Sequence, residues 1–178
     1  MNKILLGLIL TIFWSCDRNG KQESNSCGPF KIDTASILKN KNLDNLISKL
    51  EKADLTTFTK TDSIPGFIKV FLDSCEKPTL RIANKGEPWD ATDQITGDYP
   101  VRQIIFGGVG QDVALLTYYK GGIGMSERIL IFQLENSCIT DFWCGGTLDD
   151  LTNKEQVIKY IKENKDKKWK LNTNLIYF

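Results

Sequence analysis

Val113-Ala114-Leu115-Leu116-Thr117-Tyr118-Tyr119-Lys120, then Gly121-Gly122-Ile123-Gly124, then Arg128-Ile129-Leu130-Ile131-Phe132-Gln133-Leu134 is the stretch that decides the fold. Two apolar runs rich in β-branched and aromatic residues flank a glycine-bearing break, which reads as strand, turn, strand. The break is turn chemistry and not a phosphate loop, because it lacks a Gly-Lys-Ser/Thr ending and opens no helix. Outward from this hairpin, Val101 to Val109 and Cys138 to Cys144 have the same texture, and Gly107 to Asp112 and Glu135-Asn136-Ser137 separate them at hairpin distances. Leu80 to Ala83 is a further short apolar run. Together they predict an antiparallel meander of four or five strands, with a longer Lys85 to Pro100 connection.

Flanking segments switch to helical spacing. Leu43, Leu46, Ile47 and Leu50 recur at i, i+3, i+4 and i+7, with Asn42 as candidate N-cap. A second helix is expected to begin at Ser63, with Pro65 in its first turn and Phe67, Ile68, Phe71 and Leu72 inward. Asn153 to Asn164 carries Val157, Ile158 and Ile161 at helical spacing. The expected class is therefore α+β, a curved antiparallel sheet packed on N-terminal helices with a C-terminal helix. This order resembles the cystatin-like and nuclear-transport-factor-like plans. The resemblance is architectural and implies no function.

Alternation along the last strand puts Asp141 and Trp143 on one sheet face and Cys138, Thr140, Phe142 and Cys144 on the other. Val113 to Lys120 is apolar on both faces through Leu115 and Leu116. Such strands have both faces covered or keep one for a partner. One reading covers the sheet with helices on one side and loop or tail on the other. The alternative leaves a binding face with Trp89, Tyr118, Tyr119, Asp141 and Trp143 as candidate anchors.

Histidine is absent from the 178 residues, which removes the commonest general base and zinc ligand and with them Ser-His-Asp and Cys-His catalysis. Asp90, Asp93 and Asp98 share one connection, but their spacing does not match alternating calcium ligands, and they read as solvated turn residues. No catalytic residue, metal ligand or cofactor is assigned.

At the N-terminus, Lys3 precedes the apolar run Ile4 to Phe13, which ends in Phe13-Trp14-Ser15-Cys16. Ten apolar residues are too few to span a bilayer, which takes about 20. The segment resembles the signal and lipobox of bacterial lipoproteins, and only residues 1–16 carry the likeness. The resemblance implies removal of residues 1–15, acylation of Cys16, and a location in the cell envelope, on the outer membrane where the source has one. Residues 16–29 are then tether, and 30–178 one α+β domain. Without Lys3 the 23 basic residues become 22 against 22 acidic ones, a balance that offers nucleic acid no basic face.

Cys27, Cys75, Cys138 and Cys144 remain after Cys16, an even number for an oxidising compartment. Cys138 and Cys144 lie roughly 20 Å apart along a straight strand, too far for a disulfide. The expectation is a bridge from one of them to a cysteine outside the strand, with Cys75 the foremost candidate and an unpaired Cys27 near the tether as the alternative. Three functions are compatible with this reading: an envelope lipoprotein that binds a protein or envelope component, a small-ligand pocket with Asp141 or Tyr118 as polar contact, and an enzyme built on carboxylates or tyrosine.

Overall fold

The computed structural model describes Cys27 and residues 30–75, 80–93 and 97–167. The signal, Cys16 and most of the tether lie outside the described residues. A five-stranded antiparallel sheet in the order β1-β2-β3-β4-β5 forms the centre. Its strands are β1 (Thr56–Phe58), β2 (Arg102–Val109), β3 (Val113–Lys120), β4 (Ser126–Glu135) and β5 (Cys138–Thr147). The α-helices are α1 (Thr34–Leu38), α2 (Leu43–Lys52), α3 (Gly66–Cys75) and α4 (Lys154–Asn164). The α+β meander between N-terminal helices and a C-terminal helix is thus the observed architecture.

Two elements differ from expectation. The first strand is Thr56–Phe58, which pairs with Gly107 to Val109. Leu80 to Ala83 supplies only a single parallel bridge, Ala83 to Gln103, beside the half of β2 that β1 does not reach. Too short to build a ladder, this run still satisfies backbone groups, since Ala83 N–H donates to the Arg102 carbonyl and Ile104 N–H to that of Ala83. Secondly, α3 starts at Gly66 and not at Ser63, which lies in a preceding 3-10 turn. Pro65 instead lends its carbonyl to Ile68 and Lys69 as the helix opens.

Register fixes which side chains share a face. Tyr118 pairs with Arg128, Ala114 with Phe132 and Phe132 with Phe142, so these lie together on one face with Leu116, Leu130 and Cys144. Val113, Leu115, Tyr119, Glu127, Ile129, Ile131, Asp141 and Trp143 lie on the other. Phe71 of α3 meets the rings of Phe132 and Phe142 at 5.6 and 4.9 Å between centroids, which places α3 over the first face. Helix α2 lies over the second, where Asn45 and Asn42 donate to Gln133 and Asp141. Helix α4 joins it there through Tyr160 and Thr147. Both faces are therefore covered by helices, which explains strands that are apolar on both sides.

Thr140 interrupts the alternation. The register slips between Gln133 and Leu134, leaving Thr140 as the extra residue of a bulge, so Cys138 passes off the face that holds Phe142 and Cys144.

Candidate functional site

The disulfide joins Cys27 to Cys138, with 5.4 Å between their Cα atoms. The bridge runs from Cys138 to a cysteine outside its strand, as expected, but the partner is Cys27 and not the favoured Cys75. Cys75, at the end of α3, is an exposed thiol, and Cys144 is a thiol buried in the sheet. Burial pushes the Cys144 thiol up to about 12, so it stays protonated and inert at neutral pH. From Cys27 the chain wraps the β5 edge. Phe30 packs on Phe71 on one side, α1 lies beside β5, and Asn40 and Asn42 return over the other face.

That wrap consumes part of the expected binding face. Trp143 is fully buried, and its indole N–H donates to Asn40 Oδ1 at 3.0 Å. Asn40 holds a φ of 51°, a left-handed conformation that asparagine tolerates better than most residues. The Trp143 ring lies over Gly145, where a Cβ would come within 2.2 Å of it. Asp141 Oδ1 accepts from Asn42 Nδ2 at 2.7 Å and from the Phe142 N–H. Asn42 stands at the N-cap position of α2, as expected, but its side chain makes no capping bond and instead ties α2 to β5. Tyr118 is also fully buried, on the face opposite Trp143. Five residues predicted as one face are therefore divided between two. Only Trp89 and Tyr119 come together, their rings stacked at 6.3 Å.

Of the polar contacts expected in a ligand pocket, Tyr118 is fully buried and Asp141 is engaged by Asn42. Surface clefts of about 570, 380, 360 and 510 Å³ lie elsewhere, and neither Asp141 nor Tyr118 lines any of them. The cleft of about 570 Å³ is walled mainly by polar and charged groups such as Lys49, Lys52, Asp54 and Asp112, unlike the apolar lining typical of a small-molecule site. Among the described residues no group of three or more Cys, Asp or Glu side chains is arranged to hold a metal. Asp93 and Asp98 are exposed, while Asp90 is buried, with its N–H on the Pro100 carbonyl.

The sheet end opposite the disulfide holds what sequence reasoning missed. Gly122 and Gly124 have φ of 132° and 86° at the β3–β4 tip, and between them Ile123 is 100% exposed. Met125 is 52% exposed and Leu148, just past the Thr147 that pairs with Glu127, is 82% exposed. Beneath this apolar rim, polar groups are buried. On the α2–α4 face, Glu127 is 1% exposed and one carboxylate oxygen accepts from Leu151 N–H at 2.9 Å. The other oxygen has no hydrogen-bond partner. Burial first, then Asp150 and Asp149, push its carboxyl up to about 8. Tyr119 donates to Asp150, and burial followed by that contact raises its phenol to about 12. On the α3 face lie Arg102, Tyr118 and Arg128. A charge at the end of an alternating strand reads as solvated, so the sequence held no signal for its burial. The exposed Ile123 was legible only as the odd residue of a glycine turn.

No protein-family model, curated protein or solved structure matches the chain.

Proposed function

We propose that this chain is an exported, lipid-tethered binding domain that presents the β3–β4 tip to a protein partner. The carrying observation is the placement of the exposed Ile123, Met125 and Leu148 at one end of the sheet, with the Cys27–Cys138 bridge at the other. Cys27 stands eleven residues after Cys16 in the sequence, so the bridge would fix the body to its anchor close to the β4–β5 turn. Ten residues of β4 at about 3.3 Å each then put the tip roughly 30 Å from that attachment, directed away from it. The disulfide itself supports an oxidising compartment, and so export. Several acyl chains on Cys16, at roughly 0.8 kcal/mol per buried methylene, would hold the protein firmly on the membrane.

Two measurements test the proposal. Fatty-acid labelling and membrane retention should both be lost in Cys16→Ser; a variant that still takes up label removes the tether. A photo-crosslinking amino acid at Ile123 should give a discrete protein adduct in intact cells, while the same group at exposed Lys39 should not. Equal adducts at both positions, or none at Ile123, would remove the tip as the docking point.

A further inference from the structure

The loop between β5 and α4 is held at its middle by Glu127, whose carboxylate accepts from Leu151 N–H. Leu151 is itself buried and its side chain belongs to the core, while Leu148, Asp149 and Asp150 before it are exposed. Both ends of the loop are anchored without Glu127. Asp149 N–H donates to Thr147 Oγ1, and Thr152 N–H donates to Gln156 in the first turn of α4. Around the carboxyl there is no opposite charge. Asp149 and Asp150 act on it from the loop, Tyr119 faces it from β3 with its hydroxyl on Asp150, and Tyr160 faces it from α4 with its hydroxyl on Thr147. On α2, over the same face, Asp44 pairs with Lys165, Lys49 with Asp112 and Glu51 with Lys162. The 85–100 connection reaches this corner through Trp89, stacked on Tyr119, and its Asp90 does not act on Glu127. Among the described residues no cation acts on the Glu127 carboxyl. Its second oxygen is buried without a hydrogen-bond partner. With a proton there the group is neutral; without one it is a bare buried charge beside two further acids, which costs far more.

We infer that the 148–151 segment is a proton-operated latch, closed over the sheet while Glu127 is neutral and released at Leu151 when Glu127 ionises. Release breaks the bond from Leu151 N–H and lets the carboxylate reach water, while the anchors at Thr147 and Gln156 stay in place. The direction follows from the carboxyl, at about 4.5 when the loop is open and about 8 when it is closed. The closed form therefore holds a proton that the open form gives up, so low pH closes the latch and rising pH opens it. Leu148 of the exposed rim lies on the same segment, so release would reshape the surface proposed for docking; that consequence alone rests on the docking reading.

Hydrogen exchange of the full chain in detergent, followed at single amides by NMR as pH is raised, tests the latch. Exchange at Leu151 requires opening, so its protection, corrected for intrinsic exchange, should fall about tenfold per pH unit up to about pH 8 and then level. The Phe132 amide, in the β3–β4 ladder, should stay better protected than Leu151 throughout, because the latch opens without the sheet. In Glu127→Gln the side chain still accepts from Leu151 but does not ionise, and Leu151 protection should no longer change with pH. The inference is overturned if Leu151 protection in the unaltered protein is independent of pH, if Leu151 and Phe132 are equally protected, or if Glu127→Gln keeps the pH dependence. The first two outcomes need no variant, so they decide the matter even where Glu127→Gln folds poorly. All are read on the free protein, so a missing Ile123 adduct removes the docking point and leaves the latch standing.

Discussion

The two ends of the sheet are built on opposite principles. At the β4–β5 turn the chain is closed by a disulfide, wrapped by its own N-terminal segment and filled with Trp143, Phe142, Phe132 and Phe71. At the β3–β4 tip, apolar side chains stand in solvent while Glu127 and Arg102 are buried. Hydrocarbon inside and polar groups outside stabilise a fold, and reversing that order at one end costs free energy. The closed end therefore holds the packing that stabilises the fold, and the open end holds groups that cost stability. Substitutions at the closed end should unfold the protein, and those at the open end should leave it folded or make it more stable.

The largest effect is expected at Trp143. Removing a fully buried indole leaves a cavity beneath α2 and strands Asn40 Oδ1 without its donor, so Trp143→Ala should cost roughly 3 to 5 kcal/mol. Urea denaturation measures this directly. A loss below about 1 kcal/mol would mean that the closed end tolerates voids and that the comparison is wrong.

Next comes the bridge. Cys27 and Cys138 are 111 residues apart in sequence, a closure worth roughly 4.7 kcal/mol in the chain-entropy model, with realised values typically about 2 to 4. Cys27→Ser with Cys138→Ser should lower the urea midpoint accordingly, and peptide mapping of the unreduced protein should recover Cys27 joined to Cys138. Recovery of Cys75 joined to Cys138 would restore the pairing that sequence favoured and sever the wrap from the sheet.

How far the closed end was legible can be traced residue by residue. The periodicity of Leu43 to Leu50, and the texture of β3 to β5, gave the helices and strands because burial imposes a period of 3.6 or 2 on any sequence. Trp143 was ambiguous, since a strand reports which residues share a face but not what covers that face. The cover is Asn40 and α2, brought in by a wrap whose only sequence trace is Cys27. Thr140 shows the same limit, since a bulge moves one residue against its partner and leaves no mark in composition. Glu127 and Arg128 were less legible still, because burial of a charge depends on a loop and helices distant in sequence.

Glu127 offers a smaller and pH-dependent effect. Its carboxyl, at about 4.5 when unfolded, is raised to about 8 in the fold, so the folded state holds a proton that the unfolded state releases between these values. The contribution is fully present below about pH 4.5 and is lost as pH rises through about 8. Glu127→Gln is neutral throughout. Its melting midpoint should therefore match the parent near pH 4.5 and exceed it by several degrees at pH 9, because the parent must either ionise a buried carboxyl near Asp149 and Asp150 or open the Leu151 loop. Parallel curves for the two proteins between pH 4.5 and 9 would show that Glu127 is solvated.

Ile123 should give the smallest change in stability and so the sharpest contrast with Trp143. Both are large apolar residues in or beside the same sheet, yet one is 0% exposed and the other 100%. An exposed side chain has no core contacts to lose, so Ile123→Ser should change unfolding free energy by no more than about 0.5 kcal/mol. Exposure also means that the apolar surface of Ile123 is solvated in the free protein and is available to be buried by a partner, at roughly 25 cal/mol per Å². The same variant, with its stability intact, should therefore lose the photo-crosslinked partner when the probe is moved to neighbouring Met125. A destabilisation approaching that of Trp143→Ala would mean that Ile123 is covered in solution by the protein itself. The apolar rim would then be part of the scaffold, and both ends of the sheet would obey the same principle.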